Sequence, residues 1–179
     1  MRFHYQRLRA DANHPRALIE GLDGEGLWGA FTGLFGLGAN EIITVHTLAG
    51  EPVRHEASIE SETWEATVRP TTGIGCAKAG LYVFRRFFCK ERDVTELVTL
   101  SAQAWETFEG AETYQAEPMG LFRPPADADG VVPMMLVTYY DGFASWETSR
   151  TPDAAATENF KRRRALTLGS YPIATRLVV

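Results

Sequence analysis

Three histidines, two arginines in matching settings and a pair of adjacent tyrosines are the residues here whose chemistry reaches beyond packing. His4, His46 and His55 fall in or beside strand-like segments of the first half. An imidazole there can act as a general base, or ligate iron or copper. No His-x-His or His-x-x-x-His pair accompanies them, so no metal is expected, and His46 is taken as the candidate acid or base. Arg7 follows Phe3 and Tyr5 at a spacing of two, and Arg86 follows Tyr82 and Phe84 in the same way. On a strand this puts each arginine on the face of its aromatics. A guanidinium so placed can hold a carboxylate, phenolate or enolate; the plainer use is an ion pair with a glutamate. Arg85 must point away from Arg86, so only one of the two can reach a given cavity. Tyr139 and Tyr140 likewise face opposite sides, and either can donate a hydrogen bond to a ligand oxygen. The candidate catalytic group is therefore His46, Tyr139 and Arg86. The candidate ligand-binding group is Tyr5, Arg7, Trp28, Phe84 and Tyr140.

Other chemistry-bearing residues have plainer readings. Trp28, Trp64, Trp105 and Trp146 can line a pocket for an aromatic or acyl group, but Trp105 sits on the apolar face of its helix, where core packing is the usual role. Glu60, Glu62 and Glu65 read as a solvated edge. The basic run from Lys161 to Arg164 lies in a helix and wraps most of a turn, so at least one of its residues turns inward; a solvated face is the commoner fate. Cys76 and Cys89 have no paired base and no Cys-x-x-Cys spacing, which reads as free thiols in a reducing compartment. Gly73-x-Gly75 runs on to Lys78 rather than a third glycine and is not a dinucleotide fingerprint.

The elements that must position these residues follow from periodicity. Asp93 to Phe108 reads as a helix, with Asp93 and Glu96 set as a capping box and Gly110 as the stop. Strands are expected at Leu81 to Phe88, Tyr114 to Phe122, Val131 to Tyr140 and Tyr171 to Val179. Phe143 to Ser149 reads as a short helix with Phe143 and Trp146 inward, and Thr151-Pro152 opens another that runs to about Leu168. The order β-α-β-β-α-β is that of a ferredoxin-like unit. The first part repeats it in shortened form: a strand from Phe3 to Arg9, a helix from Asn13 to Leu22, strands at Trp28 to Leu37, Glu41 to Leu48 and Trp64 to Arg69. Between Glu51 and Thr63 a strand and a reduced helix fit equally. Short matches run through both halves, among them Tyr5-Gln6-Arg7 with Phe84-Arg85-Arg86, Gly33-Leu34-Phe35 with Gly120-Leu121-Phe122, and Ala66-Thr67 with Ala174-Thr175. The fold class expected is α+β: two tandem ferredoxin-like repeats, residues 1–75 and 76–179, whose antiparallel sheets pack as an α/β barrel. The closed space between the sheets is the expected pocket, and both strand faces are apolar, so the sequence leaves open which one lines it.

A net charge of -5 argues against nucleic acid or an anionic membrane as partner. No stretch approaches the ~20 apolar residues of a membrane helix, and no leader-like segment opens the chain, so a cytoplasmic location is expected.

The runs Gly33 to Glu41, Ala66 to Pro70, Tyr82 to Arg85, Ser101 to Glu109, and Tyr139-Tyr140-Asp141 leading to Trp146-Glu147-Thr148-Ser149-Arg150 resemble the NIPSNAP-like group of the dimeric α/β-barrel superfamily. The resemblance covers nearly the whole chain and consists mostly of packing patterns. It implies a homodimer and a small-molecule ligand in the barrel. Cofactor-free oxygenases, isomerases, lyases and non-catalytic binders are all consistent with it. No cofactor is expected.

Overall fold

The computed structural model describes residues 1–22, 24–125, 130–151 and 154–178, with the backbone alone described for 154–159. Eight strands and four helices follow in the order β1 (Arg2–Arg9), α1 (Arg16–Glu20), β2 (Leu27–Phe35), β3 (Glu41–Leu48), β4 (Ser58–Ala66), β5 (Leu81–Lys90), α2 (Val94–Glu109), β6 (Ala116–Arg123), β7 (Val131–Tyr140), α3 (Phe143–Thr148), α4 (Ala154–Ala165) and β8 (Gly169–Leu177). All strand pairs are antiparallel, and they close into a barrel in the order β1-β3-β2-β8-β5-β7-β6-β4. Each half has the same internal order, 4-1-3-2 and 8-5-7-6, with the β2–β8 and β4–β6 ladders as the two seams.

The ladders correct the residue matches between halves. Tyr5 pairs with Val45, which pairs with Gly29; Phe84 pairs with Val137, which pairs with Gly120. Gly29-Ala30-Phe31, rather than Gly33-Leu34-Phe35, therefore holds the place of Gly120-Leu121-Phe122. The glycines have one physical reason in common. A Cβ at Gly29 would meet the Phe31 ring at 2.5 Å, and one at Gly120 the Phe122 ring at 2.4 Å. Each glycine makes room for an aromatic two residues on that folds back inside the barrel.

That interior is filled. Phe3, Trp28, Phe31, Tyr82 and Phe122 are all 2 % exposed or less, with edge-on ring contacts such as Phe3–Phe122 at 5.3 Å and Phe31–Phe84 at 4.9 Å. The barrel centre is thus a packed core and not an open cavity, as small closed barrels require. One end is covered by the link between halves: the Cys76 amide donates to the Trp28 carbonyl, Cys76 packs on the aromatic core, and the Tyr82 hydroxyl donates to the Lys78 carbonyl.

The outer face of the second half is covered by α2, which buries Val94, Leu97, Leu100, Ser101, Ala104, Trp105 and Phe108 at the expected three- and four-residue steps. Each large side chain in that row contributes about 1.5–3 kcal/mol of burial. The capping box does not form. A 3-10 turn, Glu91–Asp93, leads into the helix, so Asp93 is already helical (φ -96°, ψ -6°) and its side chain makes no cap hydrogen bond. A cap reaches the helix amides from extended backbone.

Three further expectations change. Helix α1 is a single turn with no buried residue, because Gly21, Gly24 and Gly26 follow at once and short isolated helices are marginal. The segment before Trp64 is strand, and β4 ends at Ala66 instead of running to Arg69. Phe143 is exposed, its ring 6.0 Å from that of Phe35, while Trp146 is half-buried as expected. The expected helix start at Pro152 lies outside the described residues. Among the described residues no helix is long and apolar enough to cross a membrane.

Candidate functional site

Period-two alternation sends the side chains of each strand to two environments. Inside, at the barrel end away from the covering link, Tyr5, Arg7, Phe84 and Arg86 come together with Glu60, Phe88, Met135, Tyr171 and Ile173 around a pocket of ≈ 390 Å³. Four of the sequence candidates thus share one site. Both arginines there are already occupied. Arg7 donates to Glu41 Oε2 from Nε at 2.7 Å and Nη2 at 2.5 Å, and Arg9 donates to Oε1 at 2.9 and 2.7 Å. The Gly38 amide adds a bond to Oε2 at 2.9 Å. Burial would raise the Glu41 carboxyl, but the Gly38 amide and the two guanidiniums outweigh it and hold the group below the usual range. Arg86 pairs with Glu60 at 2.9 Å and Glu62 at 2.5 Å and lies over the Trp64 ring. Burial, with Glu60 alongside, raises Glu62 despite Arg86. Burial also raises the Tyr5 phenol, so it stays protonated at neutral pH. Its hydroxyl has no hydrogen-bond partner among the described residues.

The remaining candidates are elsewhere. Trp28 is sealed in the barrel core. Tyr139 sits at the link-covered end, its hydroxyl donating to the Ala79 carbonyl and its ring under Lys78. His46 is outside β3, opposite His4 in the β1–β3 ladder. With His55, Gln6 and Thr44 these two histidines line a groove that the one-turn α1 leaves open. His4 accepts from or donates to Ser61 Oγ at 2.9 Å, and burial, then His46, lowers its pKa. Among the described residues no three metal-ligating side chains converge.

Tyr140 leads to the second environment, the outer face of the second half. Here β5 and β7 present Arg85, Leu136, Thr138 and Tyr140 to α2, α3 and α4 across a cleft of ≈ 350 Å³. Trp105, Phe108 and Phe160 form its apolar wall, and Ser101, Ser149, Arg150, Arg163 and Arg164 complete it. A second cavity of ≈ 370 Å³ adjoins it and shares Arg85, Arg150, Phe160, Arg163 and Arg164. Arg150 donates to Tyr140 Oη at 3.0 Å and Ser149 Oγ at 3.2 Å. Arg163 donates from Nε to Ser101 Oγ at 2.9 Å and lies over the Phe87 ring. No aspartate or glutamate lines either cavity among the described residues. The sequence offered Arg85 and Arg163 only as the opposite face of Arg86 and as part of a basic run. The alternation 85/86 and 139/140 was the signal that could have paired Arg85 with Tyr140 on one face.

No protein-family profile and no curated protein matches this chain. Solved structures do match its fold. An anthrone oxidase-like protein superposes with a TM-score of 0.66 at 12% identity, over 99% of this chain and 91% of that one. An uncharacterised ferredoxin-fold protein from Listeria monocytogenes, related to antibiotic biosynthesis monooxygenases, gives 0.58 at 12% identity, over 99% and 95%. A heme-degrading enzyme from Listeria monocytogenes gives 0.52 at 8% identity, over 97% and 98%. At these identities the likeness is one of fold.

Proposed function

We propose that this chain binds a small, largely apolar molecule in the cleft between the second-half sheet and helices α2, α3 and α4, and acts on it as a cofactor-free oxygenase, isomerase or lyase. The carrying observation is the cleft itself: a concave space of ≈ 350 Å³ with an aromatic wall, Trp105, Phe108 and Phe160, facing a few convergent polar groups. Tyr140, whose oxygen accepts from Arg150, is the phenol placed to donate to a ligand oxygen. The oxygenase and heme-degrading descriptions of the structural neighbours favour small-molecule oxygen chemistry over the other two classes. We further read the halves, 1–75 and 76–179, as diverged copies of one ferredoxin-like unit in a NIPSNAP-like cytoplasmic protein that forms a homodimer.

A direct test uses the neutral fluorophore N-phenyl-1-naphthylamine. It is expected to bind the wild-type chain with one site and quench Trp105. Ala104→Leu and Thr138→Leu, which fill the cleft from its helix and sheet walls, are each expected to weaken binding about tenfold with the circular dichroism unchanged. Unaltered binding in both variants would remove the cleft as the site. A second reading places the ligand at the barrel mouth. It is favoured by the Tyr5 hydroxyl, which makes no hydrogen bond among the described residues and lines a pocket with Arg86 beside it. Loss of binding in Tyr5→Phe, with the cleft variants silent, would select that reading. Turnover under dioxygen separates an enzyme from a binder: a ligand bound in the cleft and recovered unchanged would leave a non-catalytic carrier.

A further inference from the structure

Among the described residues, the cleft carries more positive charge than its surroundings balance. Arg85 has no hydrogen bond and no ion pair among the described residues, and Arg163 has only the Ser101 hydroxyl and the Phe87 ring. Arg150 and Arg164 are exposed; Arg150 is held by hydroxyls, Arg164 has no acidic partner among the described residues, and only Arg85 and Arg163 are half-buried. Elsewhere the chain pairs arginines with acids as a rule: Arg7 and Arg9 with Glu41, Arg69 with Glu109, Arg86 with Glu60 and Glu62, Arg162 with Glu96. The net charge of the chain is negative, so carboxylates are not in short supply. Among the described residues, their absence from these two cavities is local.

Guanidiniums drawn out of water are expected to meet an opposite charge. The groups resist their own charging here: burial first, and then Arg85, pushes Arg163 down to about 10, and burial with Arg150 lowers Arg85. The shared lining places all four arginines at the junction of the two cavities, while Trp105, Phe108 and Leu136 line only the outer, apolar one.

Resting on the cleft reading above, we infer that its ligand is an anionic amphiphile, an aromatic or otherwise apolar body carrying a carboxylate, sulfonate or phosphate. The apolar body lies against Trp105, Phe108 and Leu136. The anionic group lies at Arg85 and Arg163, with Arg150 and Arg164 flanking, and supplies a counter-charge that no described residue gives. The basic run in α4 then has a use: Arg163 is the member that turns inward, and Arg162 stays outside on Glu96.

The test compares two fluorophores of one skeleton, 8-anilinonaphthalene-1-sulfonate and the neutral N-phenyl-1-naphthylamine, by calorimetric titration. The sulfonate is expected to bind about tenfold more tightly or better, and to weaken with added salt. Arg85→Leu and Arg163→Leu are expected to abolish that preference while leaving the neutral probe bound, and Arg162→Leu to leave it intact. Thermal unfolding of both cleft variants without ligand is expected to stay level or move upward, because each removes an unpaired charge; a structural arginine would lower it. Inorganic phosphate is expected to compete with the sulfonate alone. Equal binding of the two probes, insensitive to Arg85 and Arg163, would overturn the anionic ligand and leave the cleft standing. Failure of both probes to bind would overturn the cleft reading itself.

Discussion

Arg85 and Arg86 are neighbours in the chain with opposite fates. Arg86 turns into the barrel and meets two glutamates; Arg85 turns out and meets none among the described residues. The sequence forces the opposition but not its sense, because strands apolar on both faces look the same from either side. Glu41 shows what a satisfied ion of this chain looks like: both carboxylate oxygens are filled and the group is 2 % exposed. Its pKa is lowered on folding, so the stabilisation it gives is present at neutral pH and is lost as pH falls through the folded-state value. Glu41→Gln is expected to cost about 2–4 kcal/mol in urea unfolding at pH 7, because two arginines lose their charge partner. That cost should shrink below the ordinary carboxylate range, where wild type and variant converge. A constant cost across pH would assign the effect to packing.

Element boundaries were legible where the pattern was apolar and obscured where charge replaced it. Helix α2 and strands β5 and β7 follow plain three-four and aromatic patterns. Strand β4 does not, since its inward positions include Glu60 and Glu62, which pair with Arg86 at the barrel mouth. Ion pairs stand where alternation would show apolar residues, so the first part of the strand read as ambiguous. Helix α1 failed in the other direction: Asn13 and Pro15 resemble a helix start, but Gly21 and Gly24 stop it after one turn. The candidate residues divided in the same way. Tyr5, Arg7, Phe84 and Arg86 were found together because they repeat one pattern in two strands. Arg163 was one of four like residues, and which of them turns inward depends on helix phase. The seams also differ. The β4–β6 ladder spans Glu65 and Ala66 and is continued by two backbone bonds, Thr67 to Leu121 and Leu121 to Arg69, whereas β5–β7 runs from Leu81 to Lys90. Amides of the β4–β6 seam are expected to exchange with deuterium orders of magnitude faster than those of β5–β7. Uniform protection around the barrel would contradict this.

At the scale of the molecule, one chain closes the barrel and buries both sheet faces against each other. Two copies are thus not required to cover an apolar sheet, and the homodimer we expect must form through outer surfaces. Native mass spectrometry is expected to give twice the 19.9 kDa chain mass; a single-chain mass at micromolar concentration would make the barrel self-sufficient. The enclosed interior came out as core, and the spaces open to ligands among the described residues include a mouth, an outer cleft and the histidine-lined groove beside α1. In the first half the groove beside the one-turn helix α1 is lined by histidines and, among the described residues, lacks the aromatic wall and the arginines of that cleft. The consequence concerns counting. A barrel assembled from two identical subunits has paired, symmetry-related binding faces that can communicate. This chain has one aromatic-walled, arginine-lined cleft, set in its second half, so uptake should be one anionic ligand per chain in monomer or dimer alike, and substitutions on the first-half flank should be free to accumulate without altering it.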